Sequence, residues 1–400
     1  MLKLKLSRRS EAVKPSPTLA IGAQAKAMVA NGIDVVSLAA GEPDFDTPEN
    51  AREAAIAAIQ GGFTKYTATA GIPELRQAIA EKLTRVNSFA VTPEQVLVSN
   101  GAKHSLFNLF QALLDDGDEV VIFSPYWVSY PDMIGVAGGR CVVVPTSPKT
   151  GYVPNPEALK RVLTPRTQAV VINSPGNPSG AVLDREDLIR LAAVLKDHDC
   201  LIVSDDIYEP LVYGGRRFQN MAQAVPELGP RMVIINGCSK TYAMTGWRIG
   251  YAAGPAKLIS AMTRIQDQTT SNANSIAQKA ALAAITGSQD RVEAMRLEFD
   301  RRRKRLVALL NEIEGFVCSE PFGAFYVFPD VSALLARRHQ GEPVGNATRL
   351  AELLLQEAKV ATIPGAPFGA EGHIRLSFAT SMAQIEKGAV RIAEFVKTLS

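Results

Sequence analysis

The 400-residue chain is poor in the residues and runs that would tie it to a metal, a membrane or a nucleic acid. Its four cysteines, Cys141, Cys200, Cys238 and Cys318, stand far apart, with neither metal-ligand nor redox-pair spacing. Thiols so placed suit a reducing compartment, and a cytoplasmic location is expected. His104, His198, His339 and His373 form no cluster, so neither a zinc site nor a Ser-His-Asp arrangement has a basis, and no metal is expected. No stretch approaches the roughly 18 apolar residues of a membrane span. Nor does a continuous apolar core follow Lys3, Lys5, Arg8 and Arg9, as a secretory signal would require. A net charge of +3 is too small to make nucleic acid or an anionic membrane the main partner. The one basic run, Arg301 to Arg305, sits in a helical pattern with Leu306, Leu309 and Leu310 after it, and reads as a solvated helix face. A Gly-x-Gly-x-x-Gly fingerprint after the first strand of the central region is also missing, which excludes a nicotinamide dehydrogenase.

What is present is an ordinary globular composition, 46% hydrophobic and 21% charged, enough for a large core and two domains. Pro15-Ser16-Pro17-Thr18 breaks the chain before a helical stretch, 19–30, and Val35 to Leu38 reads as a short strand. The turn-rich connector 41–48 leads into an alanine-rich helix. From Val96 onward apolar runs alternate with helical patterns: 96–98, 120–123, 142–144, 169–172, 201–203, 232–235 and 249–253. One helix, 184–196, opens with an Asp cap and aligns Leu188, Leu191, Ala192 and Leu195. Short unalternating strands separated by helices predict an α/β fold with a mostly parallel sheet covered on both faces. The remainder reads as helices to about Ile313, strands at 325–328 and 373–378, and helices at 347–357 and 381–399. Ser381 and Gln384 fit a capping box there, and Ile385, Ala389, Ile392 and Val396 form a stripe.

In such a sheet ligands bind at the carboxyl ends of the strands. Polar residues fall there: Ser99 to Lys103 after the first strand and opening a helix, Asn173 to Gly180 after the fourth, Ser204 to Tyr208 after the fifth, and Ser239-Lys240 after the sixth. Lys240 reads as carried on a loop between two packed elements, where burial lowers an amine's pKa and makes it a nucleophile toward a carbonyl. Arg248 supplies a permanent cation suited to phosphate. By residue type alone each has an ordinary alternative: Lys240 or Lys103 a solvated lysine, Asp205 a turn cap, Tyr208 or Trp127 a packing residue, Arg375 a surface strand residue, Ser16 a turn residue.

Taken together, Asn177-Pro178-Ser179-Gly180, Ser204-Asp205-Asp206-Ile207-Tyr208, Ser239-Lys240 and Gly246-Trp247-Arg248-Ile249-Gly250 resemble the class I/II aminotransferases of the fold-type I pyridoxal-phosphate enzymes. Leu38 to Pro48, Lys65-Tyr66 with Gly71 to Arg76, and Ser124 to Tyr130 are similar to the bacterial aspartate aminotransferases of the Iβ subgroup. The resemblance runs from about Lys14 to the C-terminal helix. It departs from the common pattern at Gly176, where many relatives carry Asn, and at Ser179, where Thr is frequent. No counterpart of a partner-subunit arginine for a distal carboxylate can be placed.

The resemblance implies roles residue by residue. Lys240 would form the Schiff base with pyridoxal 5′-phosphate and then move the proton as acid and base, Asp205 would pair with the ring nitrogen, and Asn177 and Tyr208 would bond the ring oxygen. Trp127 would stack on the ring and also meet substrate. Gly101, Ala102, Ser239 and Arg248 would hold the phosphate, with Tyr66 reaching it from a partner subunit, which implies a homodimer with shared sites. Arg375 would fork onto the substrate carboxylate near the Gly41 backbone and Asn177, while Lys103, Ser16 and Thr18 would face a distal carboxylate. The expected organisation is a large cofactor-binding domain, 47–290, with a smaller α+β domain from both chain ends, 1–46 and 291–400. The expected activity moves the amino group of L-aspartate or L-glutamate to a 2-oxo acid by a ping-pong mechanism. The alternatives are a prephenate or aromatic 2-oxo acid aminotransferase, or a lyase on the same scaffold.

Overall fold

The computed structural model describes residues 4–13 and 17–400, without the side chains of residues 17–19. The expectations for Ser16 and Thr18 therefore lie outside the described residues and side chains. Every apolar run between Val96 and Ala253 becomes a strand of one sheet: β1 (Val96–Ser99), β2 (Glu119–Ser124), β3 (Arg140–Pro145), β4 (Thr167–Asn173), β5 (Leu201–Asp205), β6 (Met232–Gly237) and β7 (Gly250–Ala253). Their order across the sheet is β1-β7-β6-β5-β4-β2-β3. Neighbours from β3 through β6 pair in parallel, and β7 runs antiparallel to both β6 and β1.

The pleat sends alternate side chains to opposite faces. Along β4, Ala169 and Val171 enter one buried cluster, Val170 and Ile172 another, so both faces are core. That double burial is why these strands are continuous apolar runs, each fully buried aliphatic side chain contributing about 1.5–3 kcal/mol. Helix Arg185–Leu195 lies over one face, its Asp184 cap completed by Asp187 in a reciprocal box.

Register decides what meets at the carboxyl edge. Asn173 stands opposite Asp205, and Gly250 at the start of β7 stands opposite both Gly237 and Ser99. The reversed strand therefore brings its amino end to the edge where the parallel strands finish.

A third cluster joins Val36 and Leu38 to Phe299, Leu306, Phe325, Leu350 and Ile392, and takes in Tyr208 and Tyr213 from beyond β5. Strand Val36–Ser37 pairs in parallel with Val360–Ala361, and Tyr326–Val327, Ile374–Ser377 and Ile363–Pro364 form an antiparallel sheet. The last helix, Met382–Val396, buries the stripe read from sequence. Ser381 Oγ accepts from the Gln384 N–H at 3.3 Å, which is one half of a capping box.

Two readings change. Lys240 lies in a helical turn, Cys238–Thr241, entered directly from β6, where the Tyr242 N–H bonds the Cys238 carbonyl at 3.1 Å. The basic run is a solvated face only at Arg301, Lys304 and Arg305. In helix Asp290–Asn311, Arg302 and Arg303 are buried and bonded to acids from several elements: Arg302 to Asp44 and Glu298, Arg303 to Asp300 and Glu320. A guanidinium enters a core only with such partners. Among the described residues no helix is long and apolar enough to cross a membrane.

Candidate active site

A cavity of about 270 Å³ opens at the carboxyl edge of the sheet, between it and the third cluster. Its walls bring together Gly41, Ala102, Lys103, Trp127, Asn177 and Asp205, along with Tyr208, Ser239, Lys240, Arg248 and Arg375. Residues separated by more than 300 positions meet there because the strand ends share one edge. Tyr66 stands apart from the cavity and is 92% exposed.

Lys240 enters from the turn after β6 and donates its Nζ to the Gly41 carbonyl at 2.5 Å. Burial pushes its pKa down to about 8, with Glu42 opposing and Arg248 and Arg375 assisting. An amine so placed has an appreciable neutral fraction near physiological pH, which is what attack on a carbonyl and proton transfer at carbon both need.

Asp205 ends β5 and is buried. Burial raises its pKa to about 6, against a hydrogen bond from the Tyr130 hydroxyl at 2.5 Å and a longer one from the Ile207 N–H. Among the described residues no cation pairs with it, so it is an acid able to take a cationic partner from the cavity. Tyr130 is fully buried and packs edge-on against Trp127, with ring centroids 5.3 Å apart.

At one end of the cavity the chain makes a cradle for an anion. Helix Ala102–Leu113 begins after Gly101 with no side-chain cap, so its first N–H groups are free to bind a phosphate. Gly101 has φ +87°, and a Cβ there would lie 2.4 Å from Arg248 Nη2. A Cβ on Gly250 would lie 2.1 Å from the Ala102 nitrogen. Only glycine lets these segments close. Arg248 reaches over this point, bonding the Thr245 and Asn100 carbonyls, and Ser239 is buried alongside. Lys103 Nζ lies 5.0 Å from the centre of the Trp127 ring, and its pKa is lowered by burial first and Arg248 second.

At the other end Arg375 is buried between aromatic rings, 4.3 Å from the centre of Tyr326 and 5.2 Å from that of Phe368. It donates to Asn177 Oδ1 at 2.9 Å and to the Ala39 carbonyl at 3.1 Å, and its Nε has no partner among the described residues. A buried guanidinium with an unused donor is suited to a carboxylate. Asn177 is held in turn by its N–H on Asn173 Oδ1, and Asn173 Nδ2 bonds the Asp205 carbonyl. Tyr208 shares a 2.9 Å hydrogen bond with the Tyr326 hydroxyl.

Four participants carried no role in the sequence reading: Tyr130, Asn173, Tyr326 and Glu42. The signal for the tyrosines was a single polar tip within an apolar run, which when buried must find a partner. Which partner depends on chain pairings that a run does not encode.

A sheet edge with an amine of weakened basicity, a buried acid and an anion cradle is suited to a carbonyl compound that carries a phosphate. Comparison with known proteins narrows this. Residues 33–392 match the family aminotransferase class I and II. The aspartate/prephenate aminotransferase of Nitrosomonas europaea is 48% identical over 98% of this chain and 100% of its own. The aspartate aminotransferase of Geobacillus stearothermophilus is 47% identical over 98% and 99%. The solved aspartate aminotransferase of Thermus thermophilus with maleate superposes with a TM-score of 0.92 at 48% identity, over 98% of this chain and 100% of that one. The chain belongs to the class I and II aminotransferases, enzymes of fold type I whose cofactor is pyridoxal phosphate. The residues present fit that group: the glycine cradle with Arg248 suits its phosphate, and the unpaired buried Asp205 suits a protonated ring nitrogen.

Proposed function

We propose that this aminotransferase moves the amino group of L-aspartate or L-glutamate to a 2-oxo acid in two half-reactions. The observation that carries the reading is Arg375, buried with an unused donor at the far end of the cavity from the phosphate cradle. When bound, the cofactor supplies an aldehyde to take the amino group and a ring to accept electrons. Gly101, Ala102, Ser239 and Arg248 would hold its phosphate, Asp205 would pair with its ring nitrogen, and Trp127 would cover the ring. Asn177 and Tyr208 would donate toward its ring oxygen. Arg375 forks onto the substrate α-carboxylate beside Gly41, which fixes the orientation of the Cα–H bond. Lys240, its pKa near 8, would take the Cα proton as base and, as acid, deliver a proton to the cofactor's aldehyde carbon on the same face. Lys103 takes the distal carboxylate, a role consistent with the maleate of the Thermus structure.

The name of the Nitrosomonas relative favours a second acceptor, prephenate, at the same site. The test is a single-turnover experiment on the holoenzyme with aspartate alone. One equivalent of oxaloacetate per site without ammonia, then glutamate on adding 2-oxoglutarate, is expected; continuing ammonia release would establish a lyase instead. Prephenate in the second step decides the acceptor.

The same reading makes 47–290 the cofactor domain and 1–46 with 291–400 a smaller one, supported by the cluster joining Val36 and Leu38 to the C-terminal third. It also makes the enzyme a cytoplasmic homodimer. Tyr66, 92% exposed, then reaches the partner's phosphate, and Ile56 and Ile59, each more than half exposed, are covered. Light scattering of the holoenzyme reads the mass; a monomer with full activity contradicts it.

A further inference from the structure

We propose that Tyr326 is a positioning residue for Tyr208: it donates its hydroxyl proton to the Tyr208 oxygen, which leaves the proton of Tyr208 for the cavity, while its ring braces Arg375. The inference rests on the reading of the cavity as the cofactor site. Tyr326 belongs to the short strand Tyr326–Val327, which pairs with Ile374–Ser377, whereas Tyr208 follows β5 of the main sheet. Their hydroxyls are 2.9 Å apart, their rings meet edge to face, and both residues are buried. Two hydroxyls sharing one bond leave one proton between them and one free.

The neighbours decide which is which. The Arg375 guanidinium stands 4.3 Å from the centre of the Tyr326 ring, withdraws charge from that phenol and makes it the better donor. A Cβ at Gly41 would come within 3.3 Å of the Tyr326 hydroxyl, so the Gly41 backbone walls that oxygen in. The charged groups facing the pair are Arg375 and Glu42 toward Tyr326, Asp205 and Arg375 toward Tyr208, and Lys240 across the same cavity. One residue thus links the group serving the cofactor to the group serving the substrate carboxylate.

The test uses the holoenzyme and four variants: Tyr326→Phe, Tyr326→Leu, Tyr208→Phe and the double Tyr208→Phe/Tyr326→Phe. The readouts are the pH midpoint of the cofactor's visible absorbance and the KM for the amino donor. A proton donated to the cofactor's ring oxygen favours the unprotonated chromophore. Tyr326→Phe is therefore expected to raise the midpoint by about half to one pH unit, with KM changed by less than about twofold. In the Tyr208→Phe background the same substitution should add nothing. Tyr326→Leu should also raise KM by about threefold to tenfold, because Arg375 loses its ring. A wild-type midpoint for Tyr326→Phe while Tyr208→Phe is shifted overturns the inference, as does an undiminished shift in the double variant. An unshifted midpoint for Tyr208→Phe overturns the reading of the cavity, and the inference with it.

Discussion

The two ends of the cavity are built to hold anions, but by different means. At the phosphate end the chain offers backbone N–H groups behind Gly101, with Arg248 exposed above them and, among the described residues, anchored only to the Thr245 and Asn100 carbonyls. At the carboxylate end Arg375 is 3% exposed, sandwiched by Tyr326 and Phe368 and already bonded to Asn177 and Ala39. A resident group that stays through every turnover can be held by many modest contacts in an open cradle. A substrate that arrives and leaves each cycle needs a donor fixed and desolvated beforehand, because ordering it at each encounter would weaken binding.

This contrast can be broken most severely at the dry end. Arg375→Lys keeps the charge but loses the fork and strands the Asn177 and Ala39 acceptors, so kcat/KM for the amino donor should fall roughly 10²- to 10³-fold with cofactor affinity unchanged. Equal losses in both would mean that Arg375 supports the fold of the whole cavity. At the open end a smaller and complementary effect is expected. Gly101→Ala places a Cβ 2.4 Å from Arg248 Nη2 at φ +87° and ψ 160°, a region open essentially to glycine alone, where a side chain costs about 1–3 kcal/mol. The cofactor dissociation constant should rise by about tenfold, while the donor KM at saturating cofactor stays within about twofold. A donor KM that rises in step with cofactor loss would show that the two ends are not separable.

Much of the scaffold could be read from sequence because it depends on local pattern. All the strands of the main sheet were legible as apolar runs, since burial on both faces leaves no polar alternation to confuse them. The reversal of β7 was not legible: an apolar run has no direction, and its antiparallel pairing depends on Gly250 meeting Gly237 and Ser99. For the cavity, the positions at strand ends were legible because the connection from strand to ligand edge is short. The links among them were not. Tyr130 to Asp205, Tyr208 to Tyr326 and Arg375 to Asn177 span 75 to 198 positions, and nothing local in a tyrosine specifies its partner. The burial of Arg302 and Arg303 failed for the same reason, since Asp44 and Glu320 lie on other elements.

The central claim is that Lys240, at the end of β6, is the amine that takes the cofactor. Cofactor-free protein can be mixed with pyridoxal phosphate across a pH series, reduced with borohydride and mapped by mass spectrometry of its peptides. With a pKa lowered from 10.5 to about 8, the neutral amine grows as pH rises through about 8, so the label should sit on Lys240 and increase over that range. Label spread over exposed lysines, increasing only near pH 10, would contradict the account.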